Sequence, residues 1–310
     1  DKHVRWTDFV ANHRPTTDPP DAAPWHLDTD DQLDSFCGRR AAEIVRAATT
    51  GHTGDAGDHP LYLQVCFPGP HPPFDPTSEY LPDHPGLPAP ISGPRNGPVS
   101  PIELRYRRAQ RRWTANDIAR SRRAYFGKVA LVDHCIGRVL AALEETHLDE
   151  HAWIILAADH GELLGDHGLH GKVLPFESSI RIPLLIRPPG GTVARVDPGA
   201  TQLLDVVATI RGVAGLDAGR WGTSLVDRVL APSSPSSSSS SSPGVVFGNF
   251  GYVGLRTPEL TMTWDVRSGD PLELFDRTVD PHQLENRVDD ARYRDPMRAG
   301  WAVVVRERAQ

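Results

Sequence analysis

From Ala119 to Glu145 apolar side chains recur at spacings of three and four: Tyr125, Val129, Val132, Ile136, Val139, Leu140 and Leu143. That period puts them on one face of a long helix. Ser35 to Ala48 carries a weaker version of the pattern, with Phe36, Ile44 and Val45 as its apolar members. Elsewhere the runs are short and continuous. Leu61 to Phe67 is mostly aliphatic or aromatic and stops at Pro-Gly-Pro, which predicts a buried strand. Ala152 to Ala158 is apolar throughout and ends abruptly at Asp159-His160-Gly161, as expected of a central parallel strand covered on both faces. Pro183 to Ile186 predicts another strand and Thr201 to Val213 a helix.

The remainder organises these elements. Residues 1–35 are polar and read as loop; 68–101, rich in Pro and Gly, read as an extended surface loop. Pro232 to Pro243 is a serine tract, a solvated linker by composition. Beyond it, 245–250, 252–256, 260–265 and 272–276 read as short strands joined by tight turns, and 289–308 as a helix. Strands alternating with long helices predict an α/β layer architecture over 1–231. A linker at 232–243 and a small α+β subdomain with an antiparallel sheet over 244–310 complete it.

Composition narrows the partners. Net charge is −7, from 33 basic and 40 acidic residues, and no Lys/Arg block suggests nucleic acid. No stretch approaches the roughly 20 apolar residues of a membrane span. No signal-like start is visible, which gives the expectation of a cytoplasmic protein, although the first residue is Asp1 rather than Met. Cys37, Cys66 and Cys135 are odd in number and lack paired spacing, against both a disulfide framework and a zinc knuckle. The basic residues are almost all Arg. Lysine occurs only at Lys2, Lys128 and Lys172, so a lysine in an important place stands out.

The densest polar cluster runs from Asp159 to Lys172 and leaves the carboxyl end of the most hydrophobic strand, the edge at which open α/β sheets bind ligands. Asp159 and His160 can both reach one cation if the backbone turns sharply, which Gly161 permits. Oxygen and nitrogen donors together suit a divalent ion of the Ca, Mg, Mn or Zn kind. Gly161, Gly165, Gly168 and Gly171 would let the loop lie close to a small anion, with Lys172 as a compact positive charge at its end. An Asp-His-Gly after a strand is, by itself, only a turn. A second strand end adds His71, just past 61–67 and on the same edge if the strands are parallel.

The run Asp159-His160-Gly161-Glu162-Leu163-Leu164-Gly165-Asp166-His167-Gly168, with Gly171-Lys172 and then Phe176 to Ile186, resembles the sulfatases and, more broadly, the alkaline-phosphatase superfamily. Gly69-Pro70-His71-Pro72-Pro73-Phe74 is similar to the family's His-Pro loop. Tyr125 to Leu143 with Asp133 and Gly137, Leu204 to Ile210, Gly222 to Leu225, and Leu272 to Asp276 with Asp280-Pro281 and Glu285-Asn286 extend the resemblance over about residues 60–290. It implies an incomplete alkaline-phosphatase-like α/β/α sandwich. It also implies a metal-dependent sulfuric ester hydrolase of arylsulfatase type, with phosphonate or phosphate esters as alternative substrates; the Asp159–His160 pair, where the family also has Asp-Asn, keeps that alternative open. Asp159 and His160 would be metal ligands, calcium first and manganese or magnesium as alternatives. His71 and Lys172 would contact the anion and the leaving-group oxygen as catalytic residues. Asp166, His167 and His170 have no firm counterpart role and would support those ligands or lie on the surface. Arg181 would hold the loop to the sheet, and 75–118 would contact the variable alcohol of a small-molecule ester.

The departures are equally specific. The family's first half carries a strand ending in Asp-Asp and a Cys/Ser-x-Pro/Ala-x-Arg segment that yields a formylglycine nucleophile. Asp30-Asp31-Gln32 superficially resembles the former, but no apolar strand precedes it. Cys66-Phe67-Pro68 starts like the latter but has Pro70 where Arg is needed, and Cys37 is followed by Gly38-Arg39-Arg40. The reading is therefore of a C-terminal portion without the nucleophile segment: a fragment, one of two polypeptides, or a non-catalytic metal- or anion-binding remnant. A sheet without its first strands would expose apolar faces and an unpaired edge.

Overall fold

The structure, a computed structural model, describes residues 25, 28–49, 60–82, 86–110, 112–217, 219–231, 244–249 and 251–309. The loop expected over most of 1–35 and the serine linker 232–243 lie outside them. In chain order the elements are α1 (Leu33–Thr49), α2 (Pro101–Ala109), α3 (Ala115–Glu145), β1 (Ile154–Ala157), α4 (Glu177–Ile180), β2 (Leu184–Arg187), α5 (Leu203–Val213), α6 (Val226–Leu230), β3 (Val245–Asn249), β4 (Tyr252–Arg256), β5 (Leu260–Asp265), β6 (Pro271–Asp276) and α7 (Arg294–Ala309). They form two compact units: Asp1–Ala89 with Arg111–Trp153, and Pro90–Gln110 with Ile154–Gln310.

In the first unit α1 packs along α3. A capping box starts α3: the Asp117 N–H donates to Thr114 Oγ1 at 3.1 Å, and the Thr114 N–H to Asp117 Oδ2 at 2.8 Å. The seam is lined by small side chains, Ser35, Gly38 and Ala42 from α1 against Cys135 and Ala142 from α3. A Cβ on Gly38 would sit 2.9 Å from the Cys135 carbonyl oxygen, so only glycine permits this approach. The expected apolar faces are displaced as a result. Phe36, Ile44 and Val129 are 47%, 41% and 40% exposed, because close-packed helices bury small residues at the contact and leave bulky ones beside it. Residues 61–67 are extended with no ladder partner among the described residues. Leu63, Val65 and Phe67 are half-buried, while Tyr62, Gln64 and Cys66 are exposed. The buried strand expected there is instead an extended segment with one wet face.

In the second unit β1 pairs with β2 in antiparallel register, Ile154 opposite Arg187 and Ala157 opposite Leu184. This corrects the expected parallel, doubly covered strand. An apolar run reports burial tendency and carries no strand direction, and here Leu156 and Leu185 are 37% and 58% exposed. On α5 the polarity is inverted. Asp205 and Thr209 are buried while Leu203, Leu204 and Val207 are exposed. The buried pair is satisfied internally: Asp205 accepts from the Gln202 and Thr223 N–H groups at 2.9 and 2.8 Å, and Thr209 Oγ1 accepts from the Leu225 N–H at 2.8 Å.

Strands β3 to β6 form an antiparallel meander in sequence order, within a residue or so of the expected limits. Val253, Leu255, Met262, Trp264 and Leu274 from the sheet close on Met297 and Val304 of α7. The molecule is mixed α/β, with the antiparallel C-terminal sheet the sequence leads one to expect. Among the described residues no helix is long and apolar enough to cross a membrane.

Candidate functional site

Asp159 and His160 follow β1 directly. The His160 Nδ1 lies 2.8 Å from the Gly161 carbonyl, and because a carbonyl only accepts, Nδ1 carries a hydrogen. Its Nε2 lies 3.4 Å from Asp159 Oδ2, an ion pair when the ring is protonated. With the ring neutral, an imidazole nitrogen and a carboxylate oxygen at that separation could hold one cation. Among the described residues no three His, Cys, Asp or Glu side chains meet in this way, so the chain offers two donors here.

Gly161 is required for a different reason from the one its sequence suggests. Its φ is not positive; a Cβ there would fall 2.1 Å from the Ser178 carbonyl oxygen. The left-handed turns come at Gly165, Gly168 and Gly171 (φ 96°, 70° and 78°). These reversals turn Leu163 and Leu169 inward onto Leu174, Phe176 and Phe275, so the loop hangs from an apolar cluster of its own.

Its far end is held by a clasp. The Glu162 carboxylate accepts from the Leu164 N–H at 3.3 Å and from the Gly171 N–H, beside the half-buried Lys172. Burial pushes the Glu162 carboxyl up, opposed by those backbone donors and by the charges of Lys172 and His160. Helix α2 closes the clasp from outside. Tyr106 Oη donates to the His170 carbonyl at 2.9 Å and is also bonded to the Lys172 backbone, Gln110 bonds both backbone groups of His170, and Arg107 Nη1 donates to the His167 carbonyl at 3.1 Å. Burial, reinforced by Glu162, pushes the Tyr106 phenol up to about 12, which keeps it a donor.

The supporting residues resolve unevenly. Asp166 is buried, its Oδ1 accepting from the Ile91 N–H at 2.8 Å. His167 is buried and stacked on Phe176 with centroids 4.0 Å apart. Burial, with Arg95 and Arg107 nearby, pushes it down to about 3, so it is a neutral packing residue. Arg181 is exposed. The bidentate partner of Glu177 is Arg256, at 2.8 Å on each oxygen, so the expected tie at Arg181 is made elsewhere.

His71 belongs to the other unit. It is exposed at the tip of a proline-rich loop, its N–H donating to the Pro68 carbonyl at 3.1 Å. Its Nδ1 lies 2.7 Å from the Pro72 carbonyl, which leaves Nε2 pointing outward. Beneath the loop the ammonium of Lys128 lies 2.8 Å from Asp34 Oδ2 and 2.8 Å from Asp75 Oδ1, all three side chains buried. The other oxygen of Asp34 accepts from the Gly69 N–H at 2.8 Å. Phe74 meets Tyr125 edge-on at 5.6 Å. Asp30 and Asp31, the weak metal-pair match, sit in a one-turn helix, where Arg138 bonds Asp30 at 3.1 Å.

Sequence reasoning missed Tyr106, Gln110, Glu162 and Lys128. The rarity of lysine was the one available signal, and it pointed to Lys128 as much as to Lys172.

A family model described as Sulfatase matches residues 5–216. The choline-sulfatase of Rhizobium meliloti is 30% identical over 216 residues, covering 61% of this chain and 39% of that protein. An arylsulfatase of Clostridium perfringens is 25% identical over 265 residues, covering 80% of the chain and 53% of the relative. The chain thus spans about half the length of the curated relatives it matches. In fold it is similar to a phosphonate monoester hydrolase of Silicibacter pomeroyi, with a TM-score of 0.72 at 21% identity over 99% of this chain and 68% of that one.

Proposed function

The chain belongs to the sulfatase family, and from that premise we propose that it provides the cation- and anion-binding part of a hydrolase acting on sulfate esters of small molecules. The observation that carries this reading is the corner formed by Asp159 and His160, where Nδ1 meets the Gly161 carbonyl at 2.8 Å and Nε2 lies 3.4 Å from Asp159 Oδ2. These two residues would hold a divalent cation, with calcium the first expectation and manganese or magnesium the alternatives. The chemistry such an ion supplies is Lewis-acid polarisation of the ester's anionic oxygens. Lys172, held by its clasp, meets charge that develops on those oxygens. His71, with Nδ1–H committed to Pro72, carries a second proton on the outward Nε2 when its ring is charged and can hand it to a departing oxygen. The formylglycine expected of the family has no Cys/Ser-x-Pro/Ala-x-Arg segment within these 310 residues. Turnover is therefore to be measured for the chain alone and with a polypeptide bearing that segment.

The test is hydrolysis of 4-nitrophenyl sulfate and a 4-nitrophenyl phosphonate, with a thermal-shift titration of calcium alongside. Lys172→Ala should lower turnover roughly a hundredfold or more, and Asp159→Ala should abolish the calcium-dependent shift. Turnover and metal response that survive both substitutions would remove the assignment. Faster cleavage of the phosphonate would move it to the phosphorus esters.

A further inference from the structure

We propose that Lys128 is a positioning residue for His71: acting through Asp34 and Asp75, its ammonium holds both shoulders of the loop that carries the imidazole. The inference rests on the reading of His71 as the group that meets the ester.

Asp34 comes from the first turn of α1, Lys128 from the middle of α3, and Gly69 and Asp75 from either side of His71. The two oxygens of Asp34 are divided between Lys128 and the Gly69 N–H, each at 2.8 Å. Whatever fixes the lysine therefore orients the carboxylate that holds the upstream shoulder. A Cβ on Gly69 would stand 2.8 Å from Asp34 Oδ2, so the contact has no slack. The downstream shoulder is tied directly, Asp75 Oδ1 to Lys128 Nζ at 2.8 Å. Between the shoulders, Pro70, Pro72 and Pro73 fix three of the five φ angles, so anchoring the ends limits where His71 can go.

Stability alone is a weak account of such a cluster. Desolvating charges in a helix seam gives up much of the Coulombic gain, and an apolar side chain would pack there as well. A lysine adds direction, because one cation at hydrogen-bond distance from carboxylates on two segments fixes both relative to α3. The three groups sum to one buried negative charge, which Gly69 shares by hydrogen bonding.

Amide hydrogen exchange of the whole chain tests this independently of turnover. In Lys128→Met the Gly69 and His71 amides should exchange about tenfold faster or more, while Leu131 and Cys135 in the core of α3 keep their protection. Uniform acceleration along α1 and α3, or no change at Gly69 and His71, would overturn the proposal. Should that variant not fold, Asp75→Asn leaves Lys128 and Asp34 as a balanced pair. It should free His71 while Gly69 stays protected, and unchanged exchange at His71 would again overturn the proposal. On an aryl sulfate, a positioning role lowers kcat at constant KM, whereas a raised KM alone contradicts it. No turnover by the unsubstituted protein would count against the proposed function and leave exchange to decide the role of Lys128.

Discussion

Glu273, on β6, is a carboxyl whose environment keeps it protonated far above its ordinary range. It is 2% exposed, accepts from Ser100 Oγ at 2.8 Å and Thr263 Oγ1 at 3.1 Å, and is pushed up to about 7. Burial is the main cause; the Ser100 hydrogen bond opposes it, and the Glu103 carboxylate adds to it. In the unfolded chain the same group titrates near 4.5. Between these limits the folded state holds the extra proton, so stability falls as pH rises through that window. A carboxamide at this position cannot ionise. Glu273→Gln should therefore gain on the parent by roughly 3 kcal/mol between pH 4.5 and pH 7, read as the difference in urea unfolding free energies. A difference independent of pH would show the carboxyl ionised in the fold. At this scale the sequence is legible in the turns of the loop 159–172, where Gly165, Gly168 and Gly171 take positive φ. Lys128 is not, because a helical lysine is ordinarily solvated and its burial depends on Asp34 and Asp75, distant in the chain.

Among the elements, α2 departs most from expectation. Residues 75–118 are expected to contact the ester's alcohol, yet 101–109 within them are helical and grip the loop 159–172 from outside. Ser100 caps the helix, accepting from the Glu103 N–H at 3.2 Å, and Glu103 is buried between Arg95 and Arg107. Tyr106→Phe removes the donor to His170 and the oxygen bonded to the Lys172 backbone. A loss of about 1 kcal/mol is expected, nearer 3 if those groups stay buried without partners, measured by denaturant unfolding. A variant as stable as the parent would show the phenol to be dispensable. The C-terminal strands were readable because alternation and turn residues are local. The direction of β1 and the grip of α2 were not, since both arise from pairings between remote segments.

At the scale of the whole chain, the second unit exposes apolar side chains on three of its elements. Leu156, Leu185, Leu203, Leu204 and Val207 are between 37% and 58% exposed, on β1, β2 and α5. Surface of this kind favours association, and the net charge of −7 opposes it. Sedimentation should accordingly show mass rising with concentration, and more steeply at high salt, where repulsion is screened. Leu185→Lys should reduce the rise; an ideal monomer across both series would contradict this.

The scarcity of primary amines has a practical side. Lys128 is enclosed by carboxylates, Lys172 is partly open at the end of its glycine-rich loop, and Lys2 lies outside the described residues. An acylating reagent should therefore modify Lys172 well before Lys128, so that mass spectrometry of one peptide reports on the candidate anion site. Shielding of that peptide by added sulfate would give a footprint of occupancy without an isotope, a chromophore or a turnover event.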